Sequence, residues 1–232
     1  MPTYFLHIGK TGGTAIRETL ASVAKDHDLV FLNHQKSLRK VPVGSKAVFV
    51  LRDPLTRFVS AFNSRLRKGQ PRYDVPWITA EENAFKRFPT PNELGLALSD
   101  EDPVRRADAE KAMKKIRHVG NRFKEWLIGE EYLTERMDDI LFIGFQESLD
   151  RDFGILKELL DLPAELHLPN DPVRAHQTPV TLDKRLDELA IKNLRRWYFN
   201  DYAMLRFCRK MREAKGWDRI APRLPEAMEA EG

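Results

Sequence analysis

Four short apolar runs mark the chain, and each stays hydrophobic instead of alternating with polar residues. The runs cover residues 4–8, 29–32, 47–51 and 140–145. Runs of this length without alternation predict strands that are buried on both faces, as in parallel sheets covered by helices. Segments with helical spacing separate the runs. The pattern therefore predicts an α/β fold, built as a three-layer open parallel sheet.

Helical spacing is clearest after the third apolar run. Apolar residues recur there on one helix face, at Leu55, Phe58, Val59, Phe62 and Leu66. Asp53 is predicted to cap this helix and Pro54 to be its first residue, because a short carboxylate accepts from free N–H groups and proline lacks one. Further helices are predicted from residue 14 onward, over residues 149–160, and as one long C-terminal helix over residues 182–211.

Residues 67–120 differ from the rest of the chain in being polar, rich in proline and charge, and without an obvious strand. They contain helical fragments at 81–88 and 104–116. This pattern predicts a helical insertion in the α/β domain and not a separate domain. We expect a single domain over residues 1–213 and a C-terminal tail over residues 214–232.

The composition fits one domain that binds a small anion. Its 232 residues, 42% of them hydrophobic, suffice for one sizeable core and are too few for two. A net charge of +4 is too mild for a nucleic-acid-binding arm, so no nucleic-acid partner is expected. The single cysteine, Cys208, excludes an intramolecular disulfide. Neither a targeting segment nor a membrane-spanning apolar stretch is evident, which predicts a cytoplasmic protein without a transmembrane segment.

A glycine-rich loop follows the first predicted strand and precedes the first helix. It reads HIGKTGGT, and in this position the free N–H groups and positive end of the helix make an anion site. Gly12 and Gly13 let the backbone approach phosphate oxygens closely. Lys10, Thr11 and Thr14 can donate further hydrogen bonds. The loop therefore predicts a phosphate-binding site, and the alternative is a glycine turn with a surface lysine.

A second alternative is the P-loop of ATP- and GTP-hydrolysing enzymes, with the pattern G-x-x-x-x-G-K-[ST]. The GKT at residues 9–11 matches its end, but the first glycine would have to fall at Tyr4, inside the strand. Asp53 resembles a magnesium-binding aspartate at a strand end, yet it precedes a proline and is better explained as a helix cap. These mismatches disfavour an ATPase or kinase.

A second motif follows the third strand and reads VLRDPLTRFVSAF over residues 50–62. It is similar to the 3′-phosphate motif R-D-P-x-x-R-x-x-S of sulfotransferases that use 3′-phosphoadenosine 5′-phosphosulfate. The glycine-rich loop resembles the 5′-phosphosulfate loop of the same family, H-I-P-K-T-G-G-T, with Gly9 where proline is common. The resemblance is to the branch that includes the heparan sulfate O-sulfotransferases and their bacterial relatives, and it covers residues 3–66 and 120–212.

This resemblance implies a P-loop-like sulfotransferase fold and transfer of a sulfuryl group to an acceptor hydroxyl, expected on a carbohydrate. It implies that Arg52 and Ser60 hold the 3′-phosphate and that the loop residues bind the 5′-phosphosulfate. Lys10 would stabilise the charge that develops on the bridging oxygen. No ligand-spaced cluster of carboxylates and histidines is evident, so no metal is expected. A nucleotide-binding protein without catalysis remains the alternative.

The acceptor hydroxyl must lose a proton, and neither of the two motifs supplies a base for it. His34 follows the second strand, where the heparan sulfate 2-O-sulfotransferases carry their catalytic base, and this makes it the candidate. Glu81 and Glu82 in the insertion are the next candidates, while His118 lies in a polar segment with no evident partner. His176 lies in a loop to which no role is assigned.

Basic residues cluster after the second motif, at Arg65, Arg67, Lys68 and Arg72. This cluster either binds an acidic acceptor or is a solvated loop.

Overall fold

The structure is a computed structural model, and it describes residues 1–169, 171 and 182–223. Within them, four parallel strands form one open sheet in the order β2-β1-β3-β4. The strands are β1 (Thr3–Leu6), β2 (Leu29–Leu32), β3 (Lys46–Leu51) and β4 (Ile140–Phe145). The predicted parallel α/β sheet is confirmed. Strand β1 ends two residues earlier than expected, because the Ile8 N–H turns back to donate to the carbonyl of Leu6.

Helices connect the strands and follow the last one. Helix α1 (Gly13–Leu20) joins β1 to β2, and the helices between β3 and β4 are α2 (Pro54–Leu66), α3 (Thr79–Arg87), α4 (Pro91–Ala97), α5 (Pro103–Lys115), α6 (Phe123–Leu127) and α7 (Glu130–Glu135). After β4 come α8 (Leu149–Leu159), α9 (Glu188–Trp197) and α10 (Phe199–Ala214). The connection after β1 leads to β2 on one side of the sheet, whereas the connection after β3 leads to β4 on the other side. A crevice therefore opens at the carboxyl ends of the two central strands, where sheets of this kind bind ligands.

The main core lies around the sheet. Strand residues such as Phe49 and Ile143 are fully buried against α1, α8 and α10. The only cysteine, Cys208, is part of this core, and burial raises the pKa of its thiol to about 12. A thiol so far from ionisation is a packing residue and not a nucleophile.

A second hydrophobic cluster packs the predicted insertion against α2 and α9. The inward face of α2 contributes Phe58 and Phe62, which match the predicted spacing. The guanidinium of Arg65 donates to both carboxylate oxygens of Glu81, at 2.7 and 2.6 Å, and this buried pair fastens α2 to α3. The helical fragments expected at 81–88 and 104–116 correspond to α3 and α5, whereas α4 was not predicted. Its signals are local, with Thr90 as the cap that accepts from the Glu93 N–H.

One predicted helix is wrong in extent. The expected long C-terminal helix is two helices, α9 and α10, that meet at Tyr198. Tyr198 is buried, and its hydroxyl donates to the Val119 carbonyl at 2.9 Å, which fixes the break. Part of the expected tail is held in place, because Trp217 is buried and Arg223 donates to the Leu162 carbonyl at 2.8 Å.

Candidate functional site

A cavity of about 800 Å³ opens at the carboxyl ends of the strands. Segments that follow all four strands line it, together with residues from the insertion and the segment before α9. Its volume lies in the range of sites for drug-sized ligands. Among the described residues none of the cavity-lining side chains is a carboxylate, while lysine, arginine and histidine all contribute. The cavity is therefore suited to an anion.

The glycine-rich loop forms one wall of this cavity. Gly12 stands at the start of α1 in the left-handed region, with φ 89°, and no side chain caps the first turn. The first N–H groups of a helix have no acceptor within the helix, so they point at whatever occupies the cavity. A Cβ on Gly13 would lie 2.6 Å from the His7 ring, so only glycine fits there.

Lys10 lies in the same loop, half-buried in the cavity wall and with a left-handed φ of 69°. Burial and the positive charges of Arg67, Arg52 and Arg57 lower the pKa of its ammonium to about 7. An anion in the cavity would offset this repulsion and favour the charged lysine. The two threonines differ. Thr14 lines the cavity, whereas the buried hydroxyl of Thr11 donates to the Ile8 carbonyl at 2.9 Å, so only its backbone N–H is left for a ligand.

The second motif lines the adjoining part of the wall, where the Arg52 Nη1 donates to the Lys10 carbonyl at 3.4 Å. Asp53 caps α2 by accepting from the Leu55 N–H at 2.9 Å and the Thr56 N–H at 3.1 Å, which confirms the predicted cap. The Arg52 guanidinium donates to the Thr56 hydroxyl at 3.0 Å, and burial lowers its pKa. Ser60 lies two turns along α2 and lines the same cavity. The structure thus brings Arg52 and Ser60 to the cavity that also contains Lys10.

Arg57 of the same motif is a residue that the sequence reasoning left without a role. It is fully buried, and its Nε donates to the Gly9 carbonyl while its Nη1 donates to the Asn121 carbonyl, both at 3.0 Å. The guanidinium also lies over the ring of Trp126, at 5.2 Å. Arg57 therefore ties the glycine-rich loop to the segment that follows α5. The signal in the sequence was its fixed place in R-D-P-x-x-R.

Three histidines that line the cavity are in contact with one another. The ring centroid of His34 lies 5.9 Å from that of His7 and 5.7 Å from that of His118, both in edge-to-face contact. The His34 carbonyl accepts from the Trp126 indole at 2.8 Å, which fixes its backbone. The expectation that His118 has no partner is wrong, because the fold brings it from the end of the insertion to His34. His176 lies outside the described residues.

The expected basic cluster is not a single surface. Arg65 is buried in its pair with Glu81, and the ammonium of Lys68 lies 5.0 Å from the Trp77 ring centroid. Arg72 forms an ion pair with Glu18 and is the one member of the cluster that lines the cavity. An acidic-acceptor site made of all four basic residues is therefore ruled out by the packing of Arg65.

Glu81 and Glu82, the next candidates for a catalytic base after His34, do not line the cavity. Glu81 is fully buried, and hydrogen bonds from Arg65 and the Arg117 N–H help hold its pKa below its usual range against the effect of burial. Glu82 pairs with Lys86 at 2.7 Å on the outer face of α3. Neither carboxylate lines the cavity.

The remaining wall of the cavity is largely apolar and comes from distant parts of the chain. Leu55 and Val59 of α2 face Leu186 and Ile191, and Lys184 adds a further cation. The Asp183 carbonyl accepts from the Asn63 side chain at 2.9 Å, which helps hold this segment to α2. No sequence signal identified residues 184–191 as part of a site.

The described residues contain neither a metal-ligand cluster nor a membrane-spanning helix. No group of three or more histidine, cysteine or acidic side chains within them could hold a metal ion. None of the helices in this part of the chain is long and apolar enough to cross a bilayer.

The fold and cavity define an α/β protein with a glycine-rich, cavity-lining loop after its first strand. The sequence profile of the sulfotransferase family matches residues 4–208, which include both motifs and all four strands except Thr3, the first residue of β1. The chain belongs to the sulfotransferase family. No curated protein and no solved structure gives a significant match.

Proposed function

We propose that this chain transfers a sulfuryl group from 3′-phosphoadenosine 5′-phosphosulfate to a hydroxyl of an acceptor, and that the acceptor is a carbohydrate. The observation that carries the proposal is one cavity that unites the glycine-rich loop and Lys10 with Arg52 and Ser60. These are two anion sites on adjacent strands, as a donor with two separate phosphorylated positions requires. The carbohydrate acceptor rests on the resemblance to the heparan sulfate O-sulfotransferase branch.

The donor is placed by its charges. The 5′-phosphosulfate lies on the N–H groups of the loop residues Lys10, Thr11, Gly12, Gly13 and Thr14, and the 3′-phosphate lies between Arg52 and Ser60. A guanidinium offers paired donors that match a phosphate. The apolar wall formed by Leu55, Val59 and Ile191 is available to the nucleoside.

The reaction is an in-line displacement at sulfur. The acceptor oxygen forms a bond to sulfur while the bond from sulfur to the 5′-phosphate oxygen breaks, and negative charge develops on that bridging oxygen. Lys10 and the N-terminus of α1 stabilise this charge. His34 takes the hydroxyl proton. The proposed mechanism assigns no step to a metal, because a sulfuryl group carries less negative charge than a phosphoryl group.

Thermal-shift measurements with adenosine 3′,5′-bisphosphate and with ATP plus magnesium test the donor class. A ligand that binds the native state stabilises it by RT ln(1 + [L]/Kd). We expect the larger shift with the bisphosphate. A larger shift with ATP would favour a kinase-like protein, and bisphosphate binding without transfer to any hydroxyl would favour a non-catalytic binding protein.

Incubation with labelled donor and a panel of glycans tests the acceptor class, with mass analysis of the products. Transfer to one group of glycans would support the proposal. Transfer only to small alcohols or lipids would keep the sulfotransferase assignment and reject the carbohydrate.

A further inference from the structure

We propose that His118 is a further catalytic residue, whose neutral imidazole donates a hydrogen bond to an oxygen of the sulfuryl group during transfer. This inference rests on the proposed function and adds to it a residue from the helical insertion. The two motifs at the strand ends do not include His118. Its assignment comes from where the tertiary structure places its ring.

The ring of His118 packs against the glycine-rich loop. Its Nδ1 lies 3.4 Å from the point where a Cβ on Gly9 would stand. Gly9 immediately precedes Lys10, which the proposed function assigns to the oxygen bridging sulfur and phosphate. The ring lines the same cavity and contacts His34, the proposed base, edge to face at 5.7 Å. His118 thus lines the cavity beside the residue that precedes Lys10 and in contact with the proposed base, which is where the proposed function expects the sulfuryl group.

The backbone around His118 is held firmly. The residue has a left-handed φ of 68°, which is uncommon for a side chain with a Cβ and is found where the surroundings enforce it. Its neighbours Ile116 and Val119 are buried, and the Val119 N–H donates to the Ile116 carbonyl at 3.1 Å. Arg57 also donates to the carbonyls of Gly9, which the ring packs against, and of Asn121, three residues after His118. Such fixed placement is what a preorganised donor needs.

The charged groups near the ring keep it neutral. Burial, and then the positive charges of Lys10, His34, Arg57 and Arg117, lower the pKa of His118 to about 3. These groups come from the glycine-rich loop, the segment after β2, helix α2 and the preceding residue, and all of them oppose protonation. An imidazole in this state is a weak base. It keeps one N–H donor and one acceptor nitrogen at any working pH, so it can donate to an anionic oxygen without titrating.

In the proposed step the proton balance does not pass through His118. The acceptor hydroxyl gives its proton to His34, its oxygen bonds to sulfur, and the bond between sulfur and the bridging oxygen breaks. The electron pair of that bond leaves with adenosine 3′,5′-bisphosphate. The N–H of His118 holds a sulfuryl oxygen throughout, and it remains neutral before and after transfer.

The test compares His118→Ala with His118→Gln, whose amide is a neutral donor that cannot titrate. The rate is measured with a glycan acceptor and also in acceptor-free buffer, where water receives the sulfuryl group. His118→Ala is expected to lower both rates by ~10²–10³, the usual cost of one oriented donor. His118→Gln is expected to recover most of the loss and to leave the shape of the pH profile unchanged. His27→Ala, away from the cavity, is the matched control.

Affinity for adenosine 3′,5′-bisphosphate and the unfolding midpoint are measured for every variant, since a merely structural role would change them with the rate. A loss of rate in His118→Ala of less than about threefold would overturn the inference. So would a His118→Gln variant as slow as His118→Ala with an altered pH profile, which would make His118 a base. A wild-type chain that does not bind the bisphosphate overturns the proposed function as well, whereas binding and transfer with unaffected variants overturns the role of His118 alone.

Discussion

The ammonium of Lys10 lies near several positively charged side chains. None of the described residues that line the cavity is a carboxylate that could offset these charges. Burial and then Arg67, Arg52 and Arg57 lower the pKa of its ammonium from 10.5 to about 7. Between these pH values the unfolded chain binds a proton at Lys10 that the folded chain does not. The free energy of unfolding therefore rises with pH over that window, and the cost of burying the charge is fully present below it.

Lys10→Met should remove this cost and this pH dependence. In the absence of ligand, the variant is expected to be more stable than the parent at pH 6 and to differ less at pH 10, because the parent lysine is then largely neutral. Turnover should fall by ~10²–10³, since the lost charge acts on the transition state. Urea unfolding at both pH values and steady-state rates measure the two effects. Lys25→Met is the control, and equal pH dependence in both variants would contradict the pKa of Lys10.

Arg52→Ala and Ser60→Ala should weaken binding of the donor more than they slow its chemistry. The 3′-phosphate is remote from sulfur, so its contacts stabilise ground state and transition state alike. The expected result is a raised KM for the donor. Titration with adenosine 3′,5′-bisphosphate measures affinity directly. Unchanged affinity in both variants would remove the 3′-phosphate from this wall of the cavity.

His34→Ala should lower kcat by ~10²–10⁴ and leave the affinity for the bisphosphate nearly unchanged, because a general base acts on the acceptor and not on the nucleotide. Steady-state rates with a glycan acceptor, together with bisphosphate titration, check this. A fall of less than about tenfold would assign the proton to another group. Neither Glu81 nor Glu82 would then be the next choice, since both are held away from the cavity.

At the scale of elements, α2 connects the two motifs that line the cavity with the helices of residues 67–120. Its cap, Asp53, accepts from the first N–H groups of the helix and also from the Tyr202 hydroxyl at 3.0 Å, which fastens the start of α2 to α10. Its inner face carries Arg57, whose guanidinium donates hydrogen bonds to the glycine-rich loop and to the segment after α5. One helix thus positions both walls of the cavity relative to the three histidines.

Arg57→Lys should therefore act on stability and on the site together. A single ammonium cannot reproduce both bonds of the planar guanidinium, and one buried carbonyl loses its donor, at a cost of about 1–3 kcal/mol. Donor KM should rise and kcat should fall, because Gly9 and the segment that contains Asn121 lose their common support. Urea unfolding and steady-state rates test this against Arg106→Lys, a surface control. Wild-type kinetics in a destabilised Arg57→Lys would restrict Arg57 to a structural role.

At the scale of the whole molecule, the positive potential of the cavity comes from side chains on several elements and from the N-terminus of α1. This distribution matches a donor with two charged ends. Because the proposed mechanism already supplies positive charge at the bridging oxygen, activity is expected to persist in a chelator of divalent metals. Turnover with and without chelator measures it. Complete loss that magnesium restores would favour the kinase-like alternative.

The sequence by itself determined the parts of the fold and site whose signals are local. Continuous apolar runs predicted all four strands, and Asp53 with Pro54 predicted the start of α2, because these signals lie within a few residues of the elements they mark. The anion-binding role of the glycine-rich loop stays a prediction. Tertiary structure alone decided the rest. His118 meets His34 across 84 residues of chain, and Arg65 is buried only because Glu81 packs opposite it. The break at Tyr198 depends on the distant Val119 carbonyl. Such contacts form between elements after they pack, so no periodicity or spacing along the chain encodes them in readable form.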